Sequence, residues 1–122
     1  MQYVRIFSDP AGETHFATVA VAMQWADFAP PAPPVQLAEF TPAVRSTFVA
    51  VPAGWEGDWH PAPRRQWFIV LAGTWEVTVS DGEVLRFMPD AAVLVEDTTG
   101  KGHMTRIVGD EEARAAVVQL PE

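Results

Sequence analysis

The chain contains no cysteine, which removes disulfide frameworks, thiolate nucleophiles and cysteine-bound zinc or iron–sulfur centres in one step. Basic residues are scarce: eight Lys and Arg stand against sixteen Asp and Glu, a formal charge of −8. That balance offers no general attraction to phosphate backbones or anionic lipid, so neither nucleic acid nor a membrane surface is an expected partner. No apolar run approaches the roughly 18 residues of a spanning helix, and Met1-Gln2-Tyr3-Val4-Arg5 does not open a basic-then-apolar leader. A soluble cytoplasmic protein is the expectation. Windows long enough for a helix are also few, because eleven prolines and eight glycines cut 122 residues into short pieces.

What remains is strand-sized. Nine segments are rich in β-branched or aromatic residues and read as strands: Tyr3–Phe7, His15–Met23, Val44–Val51, Gln66–Leu71, Trp75–Ser80, Glu83–Phe87, Ala92–Glu96, Met104–Val108 and Ala113–Leu120. Their spacing predicts an all-β sandwich or barrel, a single domain with strands and an arm in residues 1–43 and a barrel core in 44–120. Ser80-Asp81-Gly82-Glu83 predicts a hairpin across Trp75–Phe87, its Asp-Gly pair supplying the positive φ angles of a two-residue turn. Alternation then puts Trp75, Val77 and Val79 on the buried face. By the same rule Gln66, Phe68 and Val70 share a face, which sets Gln66 among apolar neighbours. Four prolines in Ala29-Pro30-Pro31-Ala32-Pro33-Pro34 predict an extended arm without a ladder of its own, wrapping the barrel wall or a partner subunit.

The stretch from Gly57 to Gly73 carries His60, then Gln66 opening a strand, then Gly73 closing it. This order resembles the first motif of the cupin superfamily, in which glycine, His-x-His, a glutamate and a later glycine recur. His60, Gln66 and Gly73 fall in register with it; Ala62 stands at the second histidine and Gln66 at the glutamate. Met88-Pro89-Asp90, leading through Ala92–Glu96 to His103, resembles the second motif, with Asp90 where glycine is usual and His103 as its histidine. The resemblance implies a cupin-type β-barrel, a double-stranded β-helix or jelly roll, and covers Val44 to Val118.

It also implies a barrel pocket for a small molecule. A metal-binding cupin offers three histidines and a carboxylate to iron, manganese, nickel or zinc; here the candidate ligands are His60, Gln66 and His103, with Gln66 binding through its carbonyl oxygen and water, substrate or Glu96 completing the set. His15, the third histidine of the chain, lies apart from these. Two other readings stand beside this one: a metal-free acid–base enzyme in which His60 or His103 moves a proton while Gln66 and Arg45 orient a carbonyl or carboxylate, and a non-catalytic ligand-binding cupin with no metal at all. Five tryptophans suggest an aromatic interior, an interface or a pocket lining. Phe68 is the expected wall residue, and Trp59 together with Trp55 is expected at the mouth. A homodimer burying exposed strands and the proline arm is the expected assembly.

Overall fold

The computed structural model describes residues 1–122 and contains eleven strands and no helix: β1 (Gln2–Ser8), β2 (Thr14–Ala20), β3 (Gln24–Ala26), β4 (Val35–Leu37), β5 (Arg45–Val51), β6 (Gln66–Ala72), β7 (Thr74–Val79), β8 (Val84–Phe87), β9 (Ala92–Val95), β10 (His103–Val108) and β11 (Ala113–Gln119). Every segment read as a strand contains one. Six of them form a sheet in the order β2-β1-β9-β6-β11-β5, and three form a second sheet in the order β10-β7-β8.

Alternation decides which side chains meet between the sheets. Trp75, Val77 and Val79 are buried on β7 as the period of two requires, and they join Ile107 and Phe87 from the same sheet. From the larger sheet Ile6, Val70, Val93, Val95, Ala113 and Ala115 complete one core. Each large apolar side chain sealed here stabilises the fold by about 1.5–3 kcal/mol. Gly73 turns between β6 and β7 at φ 79° with Ala113 packed so close that no β-carbon fits. Of the five tryptophans only Trp75 is buried; Trp25 is 70% exposed.

Three local expectations are corrected. The hairpin between β7 and β8 has a three-residue loop: Gly82 N donates to Val79 O at 3.0 Å, Val79 N donates to Glu83 O at 3.1 Å, and only Gly82 has positive φ. A single left-handed glycine closing a tight turn is the geometry of a bulged hairpin, which spares Asp81 the left-handed region. The proline arm does carry a ladder, because Val35–Leu37 pairs antiparallel with Gln24–Ala26 and the prolines occupy the turn between them. The strand expected over His15–Met23 therefore ends at Ala20. Conversely, Asp90 adopts φ 89° at the third position of a Met88–Ala91 turn, closed by Ala91 N donating to Met88 O at 3.0 Å. That is the place where glycine is usual, so the backbone geometry persists with a different residue.

The two sheets are stitched at one end by His15. Its Nε2 lies 2.8 Å from Asp9 of the β1–β2 turn and its Nδ1 2.8 Å from Asp81 of the β7–β8 turn. The hydrogen bonds to Asp9 and then Asp81 raise the His15 pKa above its ordinary 6.5. Asp9 is lowered from 3.8, chiefly by His15, and Asp81 is lowered by the backbone N–H of Glu83 and by His15. A raised histidine stabilises fully below 6.5 and loses this as pH rises through its folded value; lowered carboxylates stabilise above 3.8 and lose it as pH falls. The stability difference between wild type and His15→Gln is thus expected to peak between about pH 4 and 6.5 and to shrink on both sides. Melting curves across pH check it; a difference that grows above neutrality would contradict the double pairing.

Candidate cavity between the sheets

After β5 the chain leaves the large sheet and runs beside β10. Ile107 N donates to Trp55 O at 2.9 Å, Gly57 N to Thr105 O at 2.8 Å, and His60 and His103 exchange both backbone bonds at 3.1 and 3.0 Å. This side-by-side pairing is what brings two histidines 43 residues apart together, their ring centroids 4.8 Å apart. Gly102 makes it possible: it sits at φ 74°, and any β-carbon there would collide with the His60 carbonyl and the Pro61 nitrogen.

Below the pair lies a cavity of about 170 Å³. Its floor and walls are apolar, with Trp55, Phe68, Trp75, Val77, Phe87 and Val93 among them. Phe68 meets Trp75 edge-to-face at 4.7 Å. The polar side chains of the lining are those of His60, His103, Gln66 and Thr105. His60 is exposed at the mouth, whereas His103 is only 8% exposed.

The atoms behind these polar groups fix what they present. His60 Nδ1 lies 2.7 Å from the Asp58 carbonyl, which only accepts, so Nδ1 carries the proton and Nε2 keeps a lone pair in the neutral ring. His103 Nδ1 lies 2.6 Å from Oδ2 of Asp97, a carboxylate with no solvent exposure, and the same logic leaves its Nε2 as an acceptor. The other oxygen of Asp97 is buried without a partner. Gln66 Oε1 accepts from Gln119 Nε2 at 3.0 Å, and Gln119 Oε1 accepts from Arg45 Nε at 2.5 Å.

Of the residues singled out from the sequence, Trp55, His60, Gln66, Phe68 and His103 line the cavity; Trp59 and Arg45 do not. Trp59 is turned outward, 43% exposed, because alternation that points His60 inward points its neighbour away. Arg45 starts β5 on the free edge of the sheet and spends its Nε on Gln119 rather than on the cavity. Glu96 is likewise absent from the lining, its oxygens taken by Arg5 at 2.7 Å and Arg65 at 2.6 Å. Burial acts to raise its pKa, and the two guanidiniums outweigh that and hold it below the ordinary value. Sequence reading passed over Asp97 and Gln119. A trace of Asp97 was present in its position directly after a buried strand, but its partner across the turn was not legible.

The sequence model for the cupin domain matches residues 47–119, more than half of the chain. The chain belongs to the cupin family. Among solved structures, the cupin domain of Cnp3 from Schizosaccharomyces pombe resembles this cupin with a TM-score of 0.56 and 22% identity, over 89% of this chain and 73% of that one. A search of curated proteins returned no match.

A cupin metal centre needs several inward donors, and this cupin does not assemble them. No group of three or more His, Asp or Glu side chains in the fold is arranged to hold a metal ion. At the second histidine position Ala62 is buried, 4% exposed, and brings no donor atom. The carbonyl oxygen of Gln66 is turned toward Gln119 Nε2 at 3.0 Å, and a neutral amide brings none of the charge that a glutamate would give a metal. The donor set therefore does not fit a resident transition metal.

Gly102→Ala is expected to destabilise the protein by about 2–4 kcal/mol, from backbone strain plus the collision with His60. Gly82→Ala, at φ 98° with nothing within 4 Å of its β-carbon, should cost only the strain, about 1 kcal/mol. Denaturant titration of both variants checks this; equal losses would mean that close approach at His60 contributes nothing.

Proposed function

We propose that this cupin binds a small organic molecule about one ring in size, holding its apolar body against Phe68, Trp75 and Phe87 and its polar group beneath His60, His103 and Gln66. The observation that carries this reading is the make-up of the cavity: an apolar floor and walls with polar side chains among them, of which His60, His103 and Gln66 are each wired from behind. A dry apolar cavity of similar volume takes up a benzene-sized ligand. No metal takes part, because the site's donors do not suit one.

A second reading, acid–base catalysis, is favoured by Asp97. A buried carboxylate oxygen left without a partner costs about 1–3 kcal/mol, and such groups are found at catalytic sites. With Asp97 behind it, His103 would take a proton from a bound ligand at Nε2, and the carboxylate would stabilise the imidazolium formed. His60, at the mouth, would pass that proton to solvent.

Acetophenone, a neutral one-ring ketone, is the test probe. Saturable shifts are expected at the Phe68, Trp75, His60 and His103 resonances, with a dissociation constant in about the millimolar range or tighter. Val49→Phe, which fills the cavity from β5 without touching a histidine, should abolish them. Shifts confined to the outer surface, or untouched by Val49→Phe, would sink the binding reading. For the catalytic reading, the methyl protons of bound acetophenone should exchange with D2O faster than in buffer, and His103→Gln should remove the excess. Binding without any excess exchange leaves the non-catalytic cupin.

A further inference from the structure

The register of the large sheet sets three polar residues side by side on its inner face: Arg45 opposite Gln119, and Gln119 opposite Gln66. The row starts at the free edge of β5 and ends in the cavity lining. We infer that Arg45, acting through Gln119, fixes Gln66 as a hydrogen-bond donor, so that the cavity selects ligands carrying a neutral carbonyl-type oxygen. This deepens the small-molecule reading above and rests on it.

The argument is one of hydrogen-bond direction. A guanidinium donates and never accepts, so Arg45 Nε can meet only the oxygen of Gln119, at 2.5 Å. That turns Gln119 Nε2 toward Gln66, where only an oxygen can receive it, and it does so at 3.0 Å. Gln66 Nε2 is left without a protein partner and without being sealed from solvent. Two facing amides alone have no preferred direction, since flipping both preserves the bond between them. Arg45 breaks that degeneracy. It is also free to do so, because the ion pairs of Arg5, Arg65, Arg86, Arg106 and Lys101 engage other cations and Arg45 has no carboxylate partner. Arg45 is thus a positioning residue that never touches the ligand.

With both imidazoles presenting lone pairs, Gln66 is the amide donor of the polar set. A ketone, aldehyde, ester or amide oxygen completes it, whereas a ligand with N–H alone can satisfy the histidines and leaves Gln66 unpaired.

Gln119→Glu tests this at constant size. A carboxylate only accepts, so it would keep Arg45 on one oxygen and take Gln66 Nε2 on the other, turning the Gln66 carbonyl into the cavity. Acetophenone (acceptor only) and indole (donor only) are neutral, which limits the influence of the added charge. Their affinity ratio, read by titration of labelled protein, is expected to shift toward indole by about tenfold in Gln119→Glu. Arg45→Met, which removes charge instead of adding it, should shift the ratio in the same direction by a smaller factor. The side-chain amide protons of Gln66 should move on acetophenone binding in wild type and not in Gln119→Glu. A ratio constant within about twofold in two folded variants overturns the inference and leaves the binding reading intact. Failure of wild type to bind either probe overturns both.

Discussion

The two backbone hydrogen bonds between His60 and His103 constrain everything around the cavity. They join the connection after β5 to the edge of the smaller sheet, and so they close the wall that the two sheets alone leave open. They also decide that two imidazoles stand together over an apolar floor. Such a pairing demands close approach of two backbones, which Gly102 grants by having no side chain and by adopting a left-handed φ. A bond pair of this kind is worth only about 1–3 kcal/mol in net stability. Its larger consequence is positional, since moving it would move both histidines.

Around that bridge, three of the four polar side chains facing the cavity have their other end committed. The Asp58 carbonyl holds His60, the Asp97 carboxylate holds His103, and the Arg45–Gln119 pair holds Gln66. Commitment of this sort removes rotamers and tautomers that would otherwise compete, which is how a site built on rigid strands is preorganised. It also explains the departures from the cupin metal pattern as a coherent set. Ala62 withdraws one donor, and Gln119 turns the oxygen of Gln66 toward itself; the result is a cavity whose polar side chains are hydrogen-bonding groups.

Much of the barrel was legible in the sequence because strand alternation is a local property. Trp75, Val77 and Val79 point inward for the same reason that Gln66 and Phe68 do, and no tertiary information is needed to see it. His60 and His103 were marked by their place in the two motifs. The rest depends on register between strands distant in sequence, which local pattern does not encode. Gln119 meets Gln66 only because β11 lies between β5 and β6, and Asp97 reaches His103 only because the loop over Gly100 and Gly102 folds back. Arg45 is expected from the sequence to orient a ligand by hydrogen bonds, a role that depends on strand register, and in that register its neighbour across the ladder claims it. The ladder in the proline arm was missed for the opposite reason: four prolines mask the three residues, Val35–Leu37, that pair.

The central claim is that His60, His103 and Gln66 are fixed from behind and that the cavity meets two imidazole lone pairs. Long-range proton–nitrogen NMR of the three histidine rings, at a pH where His60 and His103 are neutral, reads this directly. The account predicts the proton on Nδ1 and a bare Nε2 for both His60 and His103. A proton on Nε2 of either ring would contradict it.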